Sequence, residues 1–206
     1  MSSTNFSNEQ TLIQSAQRGD LEAFNALIVQ YQNAAFTLAY RIMGETSSAN
    51  DAAQEAMITA YRRLDTFRGG SFKAWLLRIV TNRCYDELRR RKRQRQTTFS
   101  DLTPEDADEP PLADESDTPE EIAQSRELQR EVQRCINRLN ADQKLVLVLC
   151  DIEGLDYGEI SEQVGATLGT VKSRLSRARA SVRDCLSAVR ELLPAAYRLI
   201  SEESEK

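Results

Sequence analysis

Between Thr97 and Glu121 the chain carries 10 acidic residues, no basic one, and four of its five prolines. Such a stretch repels itself, offers few apolar side chains to bury and interrupts helices at its prolines, so it forms no packed core. Whatever folds in these 206 residues must therefore fold separately on either side of it. The expected organisation is a first domain over 10–95, an acidic flexible linker over 96–121, a second domain over 122–185 and a C-terminal tail over 186–206.

The same segment explains a misleading average. The formal net charge is −5, yet residues 1–96 hold 14 Lys and Arg against 9 Asp and Glu, and residues 122–206 hold 13 of each sign. An acidic whole thus conceals a basic first domain, and the overall charge does not argue against a nucleic-acid partner.

Both flanks read as helical, which predicts an all-α fold of two small domains. In the first, Phe24, Leu27, Tyr31, Ala35, Leu38 and Ile42 recur at spacings of three and four, giving a helix that ends near Gly44. Asn50 or Asp51 is placed to cap the next helix, whose apolar stripe is Ala53, Met57, Ala60 and Leu64. Phe67 to Ser71, with two glycines, breaks the pattern. A third helix begins near Phe72 and passes through Trp75, read as a core residue, Leu76 and Ile79. Val80 to Arg83 reads either as a bend or as a continuation, and leads to the basic run Arg89 to Arg93.

The second domain opens with a helix from Pro119 to Arg138. Asn140 with Gln143 then caps a helix running to Asp151, closed by Glu153 and Gly154. Residues 156–183 read as a helix-turn-helix. Asp156 and Glu159 have the spacing of a capping box. Gly165 suits a left-handed helix end, and Thr167 can cap the second helix. Along that helix Val171, Leu175, Ala178 and Val182 form a narrow apolar stripe. About half a turn away are Ser173, Ser176 and Arg177, with Thr170, Lys172 and Arg183 beside them. Arg and Lys donate to guanine edges and phosphates, and serines reach either, so this face suits a DNA major groove. The tail beyond 185 keeps helical spacing, with Pro194 as a break, and suggests no role.

Several function classes are excluded. The chain contains no histidine, and its four cysteines (84, 135, 150 and 185) show no C-x-x-C spacing. Zinc sites of the common Cys/His kinds and histidine-dependent triads therefore lack their residues. The cysteines are expected to be reduced, with Cys135 and Cys150 in the core. No carboxylate pair is singled out by spacing, so the reading is of a protein that is not an enzyme, with no catalytic residue, cofactor or metal. No apolar run approaches the roughly 20 residues that span a bilayer. The first residues show no basic segment followed by an apolar one. A cytoplasmic protein without direct membrane insertion is expected.

Four blocks, in order around the acidic segment, resemble the RNA polymerase sigma factors of the sigma-70 family, extracytoplasmic-function (ECF) group. They are Arg18-Gly-Asp-Leu-Glu-Ala-Phe24; Asp51-Ala-Ala-Gln-Glu-Ala-Met57 running on to Phe67-Arg68-Gly69; Phe72-Lys-Ala-Trp75-Leu-Leu-Arg-Ile79 with Asn82; and Gly169-Thr-Val-Lys-Ser-Arg-Leu-Ser-Arg-Ala-Arg179. The resemblance spans roughly residues 10–95 and 125–185.

That resemblance implies partners and roles. The helix opening at Asp51 is similar to the segment that docks on the clamp of the polymerase largest subunit, with Gln54, Glu55, Ile58 and Arg62 outward. An outward Ile among polar groups suits a protein interface, and on pattern alone it equally suits a solvated face. The segment from Phe72 to Arg93 is similar to the promoter −10 recognition and melting element. There Asn82 would sit in a base-capturing loop, with Arg78, Arg83, Arg89 and Arg90 positioning the strand. The last block is similar to the −35 recognition helix, in which Thr170, Lys172, Ser173, Ser176 and Arg177 match the positions that reach bases and phosphates. The resemblance implies a bulkier residue at the position of Ser176, so no base preference is carried over there. The family implies RNA polymerase core and promoter DNA as partners, and an anti-sigma factor as regulator. Residue patterns alone also fit a stand-alone helix-turn-helix regulator, or an adaptor whose basic segments are only solvated.

Overall fold

In a computed structural model the described residues are 3–97 and 119–187, with side chains described for 9–94 and 125–187. Most of the expected linker, from 98 to 118, and the tail from 188 onward lie outside them. Among the described residues all regular structure is helical, in two compact units divided within the acidic segment.

The first unit contains α1 (Ser3–Gln17), α2 (Leu21–Met43), α3 (Thr46–Arg62) and α4 (Phe72–Thr97). Asp20 starts α2 by accepting the backbone N–H groups of Glu22 and Ala23 at 3.0 and 3.1 Å, which satisfies two of the donors a helix start leaves open. Gly44 ends it in the left-handed region, at φ 77°. One turn of helix then appears that the sequence reading missed. Helix α3 starts at Thr46, so Asn50 and Asp51 lie inside it rather than at its cap. Glu45 precedes it, and its carboxylate accepts from the hydroxyls of Ser47 and Ser48. These bonds hold its pKa down to about 2.

The buried face of α3 is nearly all alanine: Ala49, Ala52, Ala53, Ala56 and Ala60 are 0–3 % exposed. Small side chains let a helix approach its neighbours closely. The larger core volume comes from α1, α2, α4 and the turn between α3 and α4, with Ile13, Phe24, Leu27, Leu64, Phe67, Phe72 and Leu76 packed together. Trp75 belongs to this cluster, its ring 5.5 Å from those of Phe67 and Phe72. Gln17 ties α1 to the segment before α4 by donating to the carbonyls of Leu64 and Phe67, at 3.0 Å each.

Helix α4 is continuous through Val80 to Arg83. The β-branched pair Val80 and Thr81 favours a bend by propensity, but Val80, Thr81 and Cys84 are buried on the core side, and packing holds them helical.

The second unit contains α5 (Pro119–Asn137), α6 (Ala141–Leu147), a π-helical turn (Val148–Ile152), α7 (Tyr157–Val164) and α8 (Leu168–Ser187). The Asn140 side chain caps α6 through the N–H of Gln143 at 2.9 Å. The expected single helix to Asp151 instead widens at Val148, where the Glu153 N–H reaches five residues back to the Val148 carbonyl, at 3.0 Å. That extra residue per turn places Val148 and Leu149 inward and leaves Cys150 only partly buried, contrary to its expected place in the core. A second correction concerns redox state. Cys135 and Cys185 are disulfide-bonded, Cα to Cα 5.7 Å, whereas all four cysteines were expected to be reduced. Among the described residues no helix is long and apolar enough to cross a membrane.

Candidate nucleic-acid interface

The α7–α8 pair is fixed by local bonds. Asp156 accepts from the Glu159 N–H at 2.8 Å, and the Glu159 carboxylate accepts from the Asp156 N–H at 3.0 Å, a complete capping box. Gly165 closes α7 at φ 63°, and the Thr167 hydroxyl accepts from the Thr170 N–H at 3.3 Å to open α8. Val171, Leu175 and Ala178 are 0–2 % exposed and seat α8 on the core, while Val182 is only partly buried.

On the outer side Lys172, Ser176 and Arg177 are exposed, and Thr170 and Ser173 partly so. The Ser173 hydroxyl donates to the Thr170 carbonyl at 3.0 Å. Two other arginines of α8 are committed within the protein: Arg174 pairs with Asp142 and Arg179 with Asp151, both at 2.5 Å, while the exposed Arg183 lies 3.7 Å from the neighbouring Asp184. Among the described residues no carboxylate pairs with Arg177, which leaves its guanidinium available to a ligand. Lys172, Ser176, Arg179 and Arg183 share a depression of about 480 Å³ with Tyr157. The Lys172 ammonium lies 5.9 Å from the Tyr157 ring centroid. Tyr157 and Arg179 were not expected at this surface. They come from the start of α7 and the middle of α8, and only the helix crossing unites them.

Comparison with known proteins bears on what this surface serves. The Sigma-70 region 2 family matches residues 27–94, and the Sigma-70, region 4 family matches residues 129–182. An RNA polymerase sigma-H factor of Pseudomonas aeruginosa is 37% identical over 183 residues, covering 86% of this chain and 93% of that protein. An ECF RNA polymerase sigma-E factor of Escherichia coli is 36% identical over 176 residues, covering 84% and 92%. The chain belongs to the extracytoplasmic-function group of RNA polymerase sigma factors.

A further relative, the ECF RNA polymerase sigma factor SigE of Mycolicibacterium smegmatis, is 37% identical over 167 residues, and the match spans 63% of its length. Among solved structures, CnrH in complex with the cytosolic domain of CnrY has a TM-score of 0.64 at 26% identity, covering 88% of this chain and 98% of that one. The fold is also shared with the sigma factor RpoE of Bartonella quintana, solved with the anti-sigma factor NepR, at TM-score 0.68 and 24% identity, over 81% and 98% of the two chains. As a sigma factor the protein is a non-enzymatic initiation factor that associates with RNA polymerase and gives it promoter specificity.

Region 2 of this sigma factor presents two surfaces. On α3, Asp51, Gln54, Glu55, Ile58 and Arg62 are all exposed, Ile58 at 51 %. Tyr61, 41 % exposed, stands beside them with its ring 5.0 Å from Phe24. The sequence pattern gave no reason to include it.

On α4 the structure divides the five expected residues between two faces. At 100° per residue, Arg78, Asn82 and Arg89 share one exposed face. Arg83 and Arg90 point roughly 100° away from it, toward Glu87. Glu87 is 8 % exposed and accepts from Arg90 through both carboxylate oxygens at 2.9 Å, and from Arg91 at 3.1 Å. The Arg90 hydrogen bonds, followed by those of Arg91, hold its carboxyl below the usual range. Arg83 pairs with Glu55 on α3, and Arg91 reaches Glu45 at 3.0 Å. Asn82 stands on a continuous helix, so the loop expected around it does not exist. The irregular segment of this unit is Phe67 to Ser71, where Gly69 and Gly70 take φ 106° and 86° and Ser71 caps α4 through the Ala74 N–H at 3.1 Å.

Proposed function

We propose that the domain over 122–185 reads the promoter −35 element by laying α8 in the major groove, with Arg177 and Lys172 as the principal donors and Thr170, Ser173 and Ser176 in support. The carrying observation is that Arg177 is exposed with no carboxylate partner among the described residues, while Arg174 and Arg179 on the same helix are held by Asp142 and Asp151. The domain over 10–95 docks on the clamp of the polymerase largest subunit through Asp51, Gln54, Glu55, Ile58 and Arg62, and engages the −10 element through α4. In this reading the unstacked base is caught by the glycine segment from Phe67 to Ser71. Arg78, Asn82 and Arg89 track the displaced strand, and Arg83 and Arg90 stiffen the helix that carries them. The linker over 96–121 joins the two readers. The protein acts in the cytoplasm and is held in check by an anti-sigma factor.

Run-off transcription with core polymerase across a library of promoters tests this reading. Initiation that depends on both elements is expected. Specific binding to a DNA site without polymerase, together with no initiation from any promoter despite core binding, would replace it with a stand-alone helix-turn-helix regulator.

A further inference from the structure

The bridge between Cys135 and Cys185 is the one covalent link between α5 and α8, and neither promoter recognition nor polymerase docking uses it. Its placement is particular. Beyond Ala178 no described residue of α8 is fully buried, so the last two turns of this helix are held by partly buried contacts, the Arg179–Asp151 pair and the sulfur bond rather than by deep core packing. The two sulfurs are also unequal. Cys135 is 1 % exposed, whereas Cys185 is only partly buried, with the Arg138 guanidinium Nη1 3.7 Å from its Sγ. The polymerase works among low-molecular-weight thiols, which keep most cysteines there reduced. A bridge with one partly exposed cysteine beside a cation is open to their attack.

We propose that Cys135 and Cys185 form a site of reversible thiol–disulfide exchange with low-molecular-weight thiols, whose state sets how firmly the end of α8 is held on α5. A small-molecule thiolate attacks the Sγ of the partly exposed Cys185. The sulfur–sulfur bond breaks, and Cys135 leaves with the electron pair and takes a proton from water. A second thiolate attacks the small molecule's own sulfur in the mixed disulfide, releasing Cys185 as a thiolate beside Arg138 and a small-molecule disulfide. Two small thiols are oxidised and one protein disulfide is reduced, and the small disulfide drives the reverse. The closed bridge joins residues 50 apart in sequence, which restricts the open ensemble; the open form lets the last turns of α8 fray. A consequence for −35 recognition rests on the function proposed above, while the exchange and its effect on the helix do not.

The test uses the full chain, equilibrated in glutathione buffers with reduced-to-oxidised ratios from about 1:1 to about 1000:1. Free thiols are trapped and counted by mass, and amide hydrogen exchange is read over 179–187. The expected result is a single two-thiol transition inside that range, with exchange in these turns rising about tenfold or more on opening. The melting midpoint of the second unit should fall by about 10 °C. Cys185→Ser, at a partly buried position, should show the fast exchange at every ratio. A Cys84→Ser, Cys150→Ser double variant should keep the transition. A bridge that never forms, one that stays closed at all ratios, or one that opens without changing exchange would each overturn the proposal. A transition with faster exchange, in a protein that supports no promoter-specific transcription in either state, would uphold the exchange site and remove the promoter reading instead.

Discussion

Helices α4 and α8 are both rich in arginine, and they use it differently. On α8 the neighbours of Arg177 are neutralised singly, by carboxylates from α6 and the π-helical turn, and Arg177 itself is left free. On α4 one nearly buried carboxylate, Glu87, gathers Arg90 and Arg91 at 2.9 and 3.1 Å and lies 4.0 Å from Arg83. The basic run that looks in sequence like a strand-binding tract is therefore partly a structural clasp. Counting positive charges overstates what region 2 can offer DNA; what matters is which guanidinium groups lack an internal partner.

The contrast can be broken at its strongest point by removing the clasp. Glu87→Ala should cost the first unit about 2 kcal/mol, because a nearly buried acceptor of charge-assisted hydrogen bonds is lost while its partly exposed arginines turn to solvent. Thermal unfolding of the isolated variant checks this, and an unchanged midpoint would show that the arginines repair themselves with solvent. Arg177→Ala should cost about 1–3 kcal/mol in binding a −35 duplex as holoenzyme, with folding unaffected. Arg90→Ala should do the reverse, lowering stability more than DNA affinity. If both substitutions weaken DNA binding equally, the distinction between the helices fails.

A smaller effect, about 1 kcal/mol, is expected for Asn82→Ala. It should impair formation of the open complex more than the closed one, as read by permanganate footprinting against filter binding. The smallest effect is in pH. The Glu45 pKa is depressed to about 2 by Ser47, Ser48 and Arg91. Its contribution to stability is therefore full above the ordinary glutamate value and is lost as pH falls from there toward about 2. Glu45→Gln should flatten that acid limb of the unfolding curve and leave stability at neutral pH nearly unchanged in slope.

What could be read from sequence was what short-range rules decide. The capping box at Asp156 and Glu159, the left-handed Gly165 and the Asn140 cap all depend on residues three to five apart, and each stands as the pattern implied. The misses share a different cause. Glu45 precedes α3, accepts from two serine hydroxyls of its first turn and is held from α4 by Arg91, 46 residues away; no local pattern announces that. The loop around Asn82 was implied by the resemblance, and burial of Val80 and Cys84 holds that stretch helical. Cys135 and Cys185 meet only because α5 and α8 pack together. The arginines of α4 could be recognised as basic, but their division among solvent, Asp86 (which holds Arg89 at 3.1 Å), Glu87 and the carboxylates of Glu45 and Glu55 comes from helix phase and from the position of α3. That is why the exposed basic residues of the candidate surfaces were legible and their internal partners were not.

Helix α3 carries one more consequence. A face made of Ala49, Ala52, Ala53, Ala56 and Ala60 has almost no shape with which to fix its own rotation, since methyl groups slide past one another with little loss of contact. The angle at which Ile58 and Gln54 are presented is then set from outside the core, by Glu45 held to Arg91 near one end and Glu55 held to Arg83 farther along. Aim and cohesion are thus separable in this helix. Added salt is therefore expected to loosen these two exposed ties before it weakens the domain beneath.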